Sequence, residues 1–197
     1  MDSSAPKTGL LPGVGGFMAG WIMRTSTSRL CGRPGTGAHL VEVGVWQGRS
    51  LCYSAEAVPA CGKRFQKDGI DPFRNYPGGK TGYLPDLRPL VTAHPWLDVV
   101  SANSRREGML DYVHLIQARS PVAAGLYRDG SLDYGWIDGA HDRDSVEADC
   151  RAWWPKVRTG GTLAGHDFDQ GGVRQGVAGA VPRGRSFVVS KPGDSPW

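Results

Sequence analysis

The chain has 197 residues, 40% of them hydrophobic and 21% charged, enough for one soluble domain with its own core and too few for two comfortable ones. Its 29 glycines and 14 prolines foretell many turns, yet no Gly-X-Y period marks a fibre. The net charge is +4, but the basic residues are scattered, so the charge gives no argument for a nucleic-acid partner.

No stretch approaches the ~20 apolar residues of a membrane span, so no membrane association is expected. Leu10–Met23 is apolar and Gly-rich but lacks the charged flank and small-residue cleavage site of a signal peptide. The cysteines Cys31, Cys52, Cys61 and Cys150 include no C-x-x-C pair, against a zinc knuckle or thioredoxin-type motif. Cys52 and Cys150 fall in expected helices, where reduced thiols pack as small apolar groups. A reduced, cytoplasmic protein is the expectation.

Taken in chain order, residues 1–16 read as a flexible N-terminus and 17–197 as one domain. Phe17–Leu30 is compatible with a helix, followed by the turn cluster CGRPGTG. His39–Gly44 is a short β-rich run and reads as a buried strand. Ser50–Val58 reads as a helix stopped by Pro59. Phe65–Asp71 reads as the second strand. Residues 74–89, rich in Gly, Pro and Tyr, read as a functional loop or lid.

Val113–Ala118 is the third expected strand, Ser120–Tyr127 a short helix, and Leu132–Asp138 the fourth strand. The clearest helix follows, with Val146, Cys150, Trp153, Trp154 and Val157 along one apolar face. Asp144 and Glu147 have the spacing of a capping box, and Gly160-Gly161 the form of a helix stop. Thr162–Phe168 is the fifth strand, 171–181 a further helix, and Ser186–Ser190 a last strand. Strands alternating with helices imply an α/β, Rossmann-like fold: a mostly parallel sheet with helices on both faces.

In such sheets ligands bind at the C-terminal ends of the strands, where polar residues gather in this sequence. Glu42-Val-Gly44-Val-Trp-Gln-Gly48 has the spacing E-x-G-x-x-x-G. Its glycines permit a sharp turn and close approach to a ligand, and Glu42 is placed to meet a cationic group or order the turn. Position 46 is Trp, against the G-x-G-x-x-G of a dinucleotide site, and no Gly-Lys-Ser/Thr marks a P-loop. Asp71 is placed either to accept ribose hydroxyls or to cap the turn before Pro72.

Leu132–Phe168 carries the strongest pattern: Asp138-Gly-Ala-His141 after a strand, an amphipathic helix, Gly-Gly, a strand, and His166-Asp167. Together with VEVGVWQGRS at 41–50, GIDPF at 69–73 and Gly20–Met23, it resembles the class I S-adenosylmethionine-dependent methyltransferases. The branch is the methyltransferase-24 group, related to macrocin-type O-methyltransferases and cephalosporin-hydroxylase-like proteins. The resemblance spans roughly residues 17–181.

It implies S-adenosylmethionine as cofactor, held by Glu42, Gly44, Gly48, Ser50, Asp71, Ala118, Ser120 and Asp138. Asp138 and His141 are then the catalytic candidates, His141 as base for a substrate hydroxyl, since a free imidazole near pKa ~6.5 suits that task. In metal-dependent relatives an acid here and two acids after the next strand hold a divalent cation. The corresponding set, Asp138, His166 and Asp167, has one imidazole in place of a carboxylate, which suits Zn²⁺ or Fe²⁺ better than Mg²⁺.

The expected reaction is methyl transfer to a small-molecule hydroxyl. The alternatives are a non-catalytic S-adenosylmethionine-binding protein, a metal-dependent hydroxylase-like enzyme and an RNA methyltransferase. Trp46, Tyr76, Tyr83 and Trp96 are candidates for lining an aromatic acceptor pocket. A homodimer is left open.

Overall fold

The computed structural model describes residues 37–48, 50–52, 65–74 and 96–181. The expected helix at 17–30, most of the segment 74–89 and the strand at 186–190 lie outside the described residues, as do Cys31, Cys61, Tyr76 and Tyr83.

The described strands are β1 (Ala38–Val43), β2 (Phe65–Asp71), β3 (Val113–Gln117), β4 (Leu132–Ile137) and β5 (Val157–Gly165). They form one 5-stranded sheet in the order β3-β2-β1-β4-β5, and every pair is parallel. Parallel strands require crossovers, here supplied by helices. These are α1 (Trp96–Arg106), α2 (Ser120–Ala123) running into a 3₁₀ turn to Leu126, and α3 (Arg143–Trp153); a further helix, α4 (Gly171–Ala180), follows β5. A further helical turn occupies residues 50–52.

The sheet is covered on both faces, so its central strands are buried on both. On one face Val41, Val43, Ile70 and Ile137 pack with Ala123, Ala124 and Trp153 of α2 and α3. On the other, Val45, Leu51 and Cys52 pack with Val100 of α1, Met109 and Val113. Helix α4 docks on α3 instead of on the sheet, through Val173 and Val177 against Val146 and Cys150. Burial pushes both thiols, Cys52 and Cys150, up to about 12, so they pack as inert groups.

A polar hub crosses three strands. The buried carboxylate of Asp68 (β2) accepts from Tyr127 Oη at 2.6 Å and Gln66 Nε2 at 3.2 Å. It also shares hydrogen bonds with His39 Nε2 at 2.7 Å and His114 Nδ1 at 3.2 Å. Burial alone would raise its pKa, but these donors hold it below the usual carboxylate range.

Four expectations need correction. Helix α1 was not foreseen; Trp96, Leu97 and Val100 make its inner face apolar only in the first half, and Asn103 and Ser104 continue that face with polar side chains. The cap of α3 is Asp142, whose Oδ1 accepts the Ser145 N–H at 2.9 Å. Glu147 instead pairs with Arg151 at 2.6 Å. Helix α3 gives way at Trp153 to a 3₁₀ turn containing Pro155, Trp154 is exposed, and Val157 belongs to β5.

The fifth strand begins at Val157, not Thr162, and ends at Gly165. Its register on β4 jumps from Leu132↔Val157 to Tyr134↔Thr162. Gly160, at φ +74°, and Gly161, whose added Cβ would lie 2.9 Å from the Asp133 carbonyl oxygen, accommodate that bulge. The Gly-Gly pair therefore serves a bulge and not a helix end, and His166–Phe168 fall in the loop beyond the strand.

Candidate functional site

The strand order reverses between β1 and β4, and the loops after β1, β2, β4 and β5 meet at that switch point, where open α/β sheets bind ligands. Among the described residues, three non-glycines have positive φ: Trp46 (47°), Phe73 (49°) and Asp167 (56°). Each lies in a loop leaving the C-terminal edge of the sheet. Bulky residues rarely adopt this conformation, and such strain gathers at ligand sites.

The loop after β1 turns at Gly44, at φ +85°, whose N–H donates to the Ile70 carbonyl at 2.9 Å. It is fastened by Asp71 at the end of β2. Asp71 Oδ2 accepts the Val45 and Trp46 N–H groups at 2.9 and 3.1 Å, and Oδ1 accepts the Phe73 N–H at 2.7 Å. One carboxylate thus ties two loops together, and the capping role weighed for Asp71 is the one its contacts display. Gly48, at φ +81°, closes against Val100; its added Cβ would lie 3.1 Å from Val100 Cγ1. Asn103 of α1 donates to the Gln47 carbonyl at 3.1 Å.

Glu42 is fully buried beneath this loop. Its Oε2 meets Lys67 Nζ at 2.5 Å, and its Oε1 accepts a short hydrogen bond from Ser50 Oγ. The cationic group it meets is therefore the protein's own. Lys67 was missed in the sequence; its signal was a charged pair, Lys67-Asp68, inside an otherwise buried strand.

Ala118 donates its N–H to the Asp71 carbonyl at 3.2 Å. Ser120 Oγ accepts Trp153 Nε1 at 2.8 Å and also hydrogen-bonds Asp149, a buried acid that burial pushes up to about 6. Ser120 thus joins α2 to α3.

The chemistry-bearing groups converge after β4 and β5. Asp138 N–H bonds the Val43 carbonyl at 2.8 Å and His166 N–H the Ile137 carbonyl at 3.1 Å, so β1, β4 and β5 set these positions. Donor atoms of Asp138, His141 and Asp167 all lie within 4.8 Å of one another. The converging set thus contains His141 where His166 was expected. His141 Nε2 meets Asp167 Oδ2 at 2.7 Å. His166 Nδ1 meets the other oxygen, Oδ1, at 3.2 Å, and its ring lies 6.2 Å from that of Trp136.

Asp167 is thus shared by two imidazoles, which hold it well below the usual carboxylate range although burial opposes them. His141 is raised, first by its bond to Asp167. Burial would lower His166, but Asp167 and Asp138 outweigh it, and its net shift is upward. Burial pushes Asp138 up to about 6, with His166 pulling the other way.

The model of a family described as "Methyltransferase domain" matches residues 41–168, from the middle of β1 to the loop carrying Asp167. The chain belongs to this family, within the class I S-adenosylmethionine-dependent methyltransferases that its residue pattern resembled. No curated protein matches the chain.

Among solved structures, the O-methyltransferase NovP is similar at TM-score 0.62 and 22% identity, over 81% of this chain and 69% of that one. The calicheamicin methyltransferase CalS11 is similar at TM-score 0.59 and 15% identity, over 91% and 78%. A putative caffeoyl-CoA O-methyltransferase from Staphylococcus aureus is similar at TM-score 0.55 and 14% identity, over 84% and 71%. At these identities the likeness is one of fold. No helix among the described residues is long and apolar enough to cross a membrane.

Proposed function

We propose that this protein transfers a methyl group to a hydroxyl of a small molecule, with His141 as general base and Asp167 as the group that orients it. The observation that carries this reading is the 2.7 Å contact between His141 Nε2 and Asp167 Oδ2 beside Asp138. An imidazole that donates from Nε2 to a carboxylate keeps Nδ1 as its proton acceptor. The bond to Asp167 raises the basicity of His141, as a base for a weakly acidic hydroxyl requires.

S-adenosylmethionine, when bound, supplies an electrophilic methyl carbon next to a sulfonium. The chain suits that donor at the β1/β4 switch point. The loop Gly44–Gly48 turns at this strand end with Asp71 holding it in shape, and Asp138 and Asp167 would set negative charge beside a bound sulfonium. The segment from Ala118 to Ser120 follows β3 at the same edge and would face the adenine. Glu42 and Ser50 support the loop from below. His141 Nδ1 would take the proton of the acceptor hydroxyl, while S-adenosylmethionine, when bound, would give up its methyl group to that oxygen and leave as S-adenosylhomocysteine. Alignment of donor and acceptor supplies much of the rate.

The convergence of Asp138, His141 and Asp167 favours a second reading, in which these residues hold a divalent cation. Two carboxylates and an imidazole fit a borderline ion such as Zn²⁺ or Fe²⁺ better than Mg²⁺. Such an ion would supply positive charge that lowers the pKa of an acceptor hydroxyl.

The test is transfer of labelled methyl from S-adenosylmethionine to a panel of small phenols and sugars, with and without chelator, beside calorimetry with S-adenosylhomocysteine. His141→Gln should bind S-adenosylhomocysteine as the wild type does and lose turnover on the order of 10²-fold or more. Chelator-sensitive turnover favours the metal reading. Binding without turnover on any acceptor favours a non-catalytic role, and no binding by folded protein overturns both catalytic readings.

A further inference from the structure

The loop 138–142 joins β4 to α3 and carries both Asp138 and His141. Two glycines far apart in sequence press on its main chain. A Cβ on Gly44 would lie 2.1 Å from the Asp138 carbonyl oxygen and 2.7 Å from Gly139 Cα. A Cβ on Gly172, in the first turn of α4, would lie 2.3 Å from the His141 carbonyl oxygen and 3.3 Å from Asp142 Cα. No side chain fits at either contact, because backbone atoms cannot swing aside as a flexible side chain can.

Gly171, its neighbour in the same helical turn, has nothing within 4 Å of an added Cβ. The demand for glycine is therefore specific to the residue that faces His141 and not to the start of α4.

Helix α4 is seated firmly enough to transmit this contact. Added Cβ atoms on Gly176 and Gly179 would lie 2.6 Å from the Arg143 carbonyl oxygen and 2.5 Å from Glu147 Oε2, so the helix lies tightly along α3. Arg151 Nη2 donates to the Gly179 carbonyl at 2.9 Å, and Val173 and Val177 are buried between the two helices. The start of α4 is also tied to the other partner of His141. Gln170, its N-cap, donates its N–H to the Asp167 carbonyl at 2.9 Å. One helix end therefore touches the backbone of both members of the His141–Asp167 pair.

We propose that Gly172 is a positioning residue, and that the N-terminal turn of α4 sets the separation between His141 and Asp167. Any side chain at Gly172 pushes the His141 main chain away while Gln170 keeps Asp167 in place, and the hydrogen bond between them opens. The catalytic meaning rests on His141 acting as the base; the steric claim stands apart from it.

The experiment compares Gly172→Ala with Gly171→Ala in histidine-labelled protein by ¹H–¹⁵N spectroscopy, the His141 ring signals being assigned from their loss in His141→Gln. Gly171→Ala should leave the His141 signals where they are in wild type. Gly172→Ala should abolish or strongly shift the hydrogen-bonded Nε2 proton. Val177→Ala loosens α4 on α3 without adding an atom near His141 and decides the question if Gly172→Ala does not fold: its His141 signals should shift or broaden.

Identical His141 spectra in Gly172→Ala and Gly171→Ala, or unchanged spectra in Val177→Ala where Gly172→Ala fails to fold, overturn the proposal. S-adenosylhomocysteine calorimetry on the same samples separates it from the function. Absence of binding by wild type removes the methyltransferase reading while the spectra still decide the clamp. With wild type binding, Gly172→Ala should bind within about twofold of it. A loss of about tenfold or more would place its effect on the cofactor loop and overturn the assignment to His141.

Discussion

Replacing Lys67 by Met is expected to destabilise the protein by about 3–5 kcal/mol, because it strands a buried carboxylate. Lys67 Nζ lies 2.5 Å from Glu42 Oε2, and the two side chains are 4% and 0% exposed. Water cannot take over the role of the lost ammonium at that depth, and Ser50 satisfies only the other oxygen, Oε1. For a chain of this size, 3–5 kcal/mol corresponds to a fall in Tm of roughly 6–20 °C. The assay is urea unfolding followed by tryptophan fluorescence and far-ultraviolet circular dichroism, for Lys67→Met, Glu42→Gln and the double variant. The double variant removes both charges and keeps a partner for Ser50, so it should recover at least about half of the loss seen in Lys67→Met. A loss below about 1 kcal/mol in Lys67→Met, or strictly additive effects in the double variant, would refute the coupling of these charges.

Asp149→Asn should remove a pH dependence of stability. Folding raises the Asp149 pKa from 3.8 to about 6 through burial, so its contribution is fully present below the unfolded pKa and lost as pH rises through 6. The variant should gain about 1–3 kcal/mol over wild type at pH 7 relative to pH 4, and equal urea midpoint differences at the two pH values would count against it. Asp167→Asn keeps a residue that tolerates φ +56° but removes the charge under both imidazoles. Turnover should fall on the order of 10²-fold, and the acidic limb of the pH–rate profile should move to lower pH, because the bond that raises His141 is weakened; an unmoved limb would sever Asp167 from the base. Ser120→Ala strands Trp153 Nε1 and the Asp149 carboxyl and should cost about 1–3 kcal/mol. A large drop in S-adenosylhomocysteine affinity with no loss of stability would instead make Ser120 a cofactor contact.

Strands β1, β3 and β4 could be placed from their short apolar runs, β2 from its Ile70-Asp71-Pro72 end and β5 in its second half, and α3 from Val146, Cys150 and Trp153 at helical spacing. Those signals are local, since a buried strand or an amphipathic helix writes its burial into its own residues. Helix α1 left only a short trace in Trp96, Leu97 and Val100, because Asn103 and Ser104 take the next inward positions, which apolar side chains usually fill. The start of β5 was hidden by Gly160-Gly161, which reads equally as a helix end and as a bulge until the partner strand is known.

The sequence by itself determined the parallel α/β class, the glycine turn after β1, and the presence of Asp138, His141, His166 and Asp167 at strand ends. Only the tertiary structure decided how they pair. Sheet register brings Lys67 of β2 beside Glu42 of β1, and no spacing within either strand encodes that meeting. Asp167, at φ +56°, offers one carboxylate oxygen to its neighbour His166 and the other to His141, which comes from a different loop. Which histidine joins the acids depends on where α3 and α4 dock. That docking is set by backbone approach at glycines, whose missing side chains leave no periodic mark in the chain.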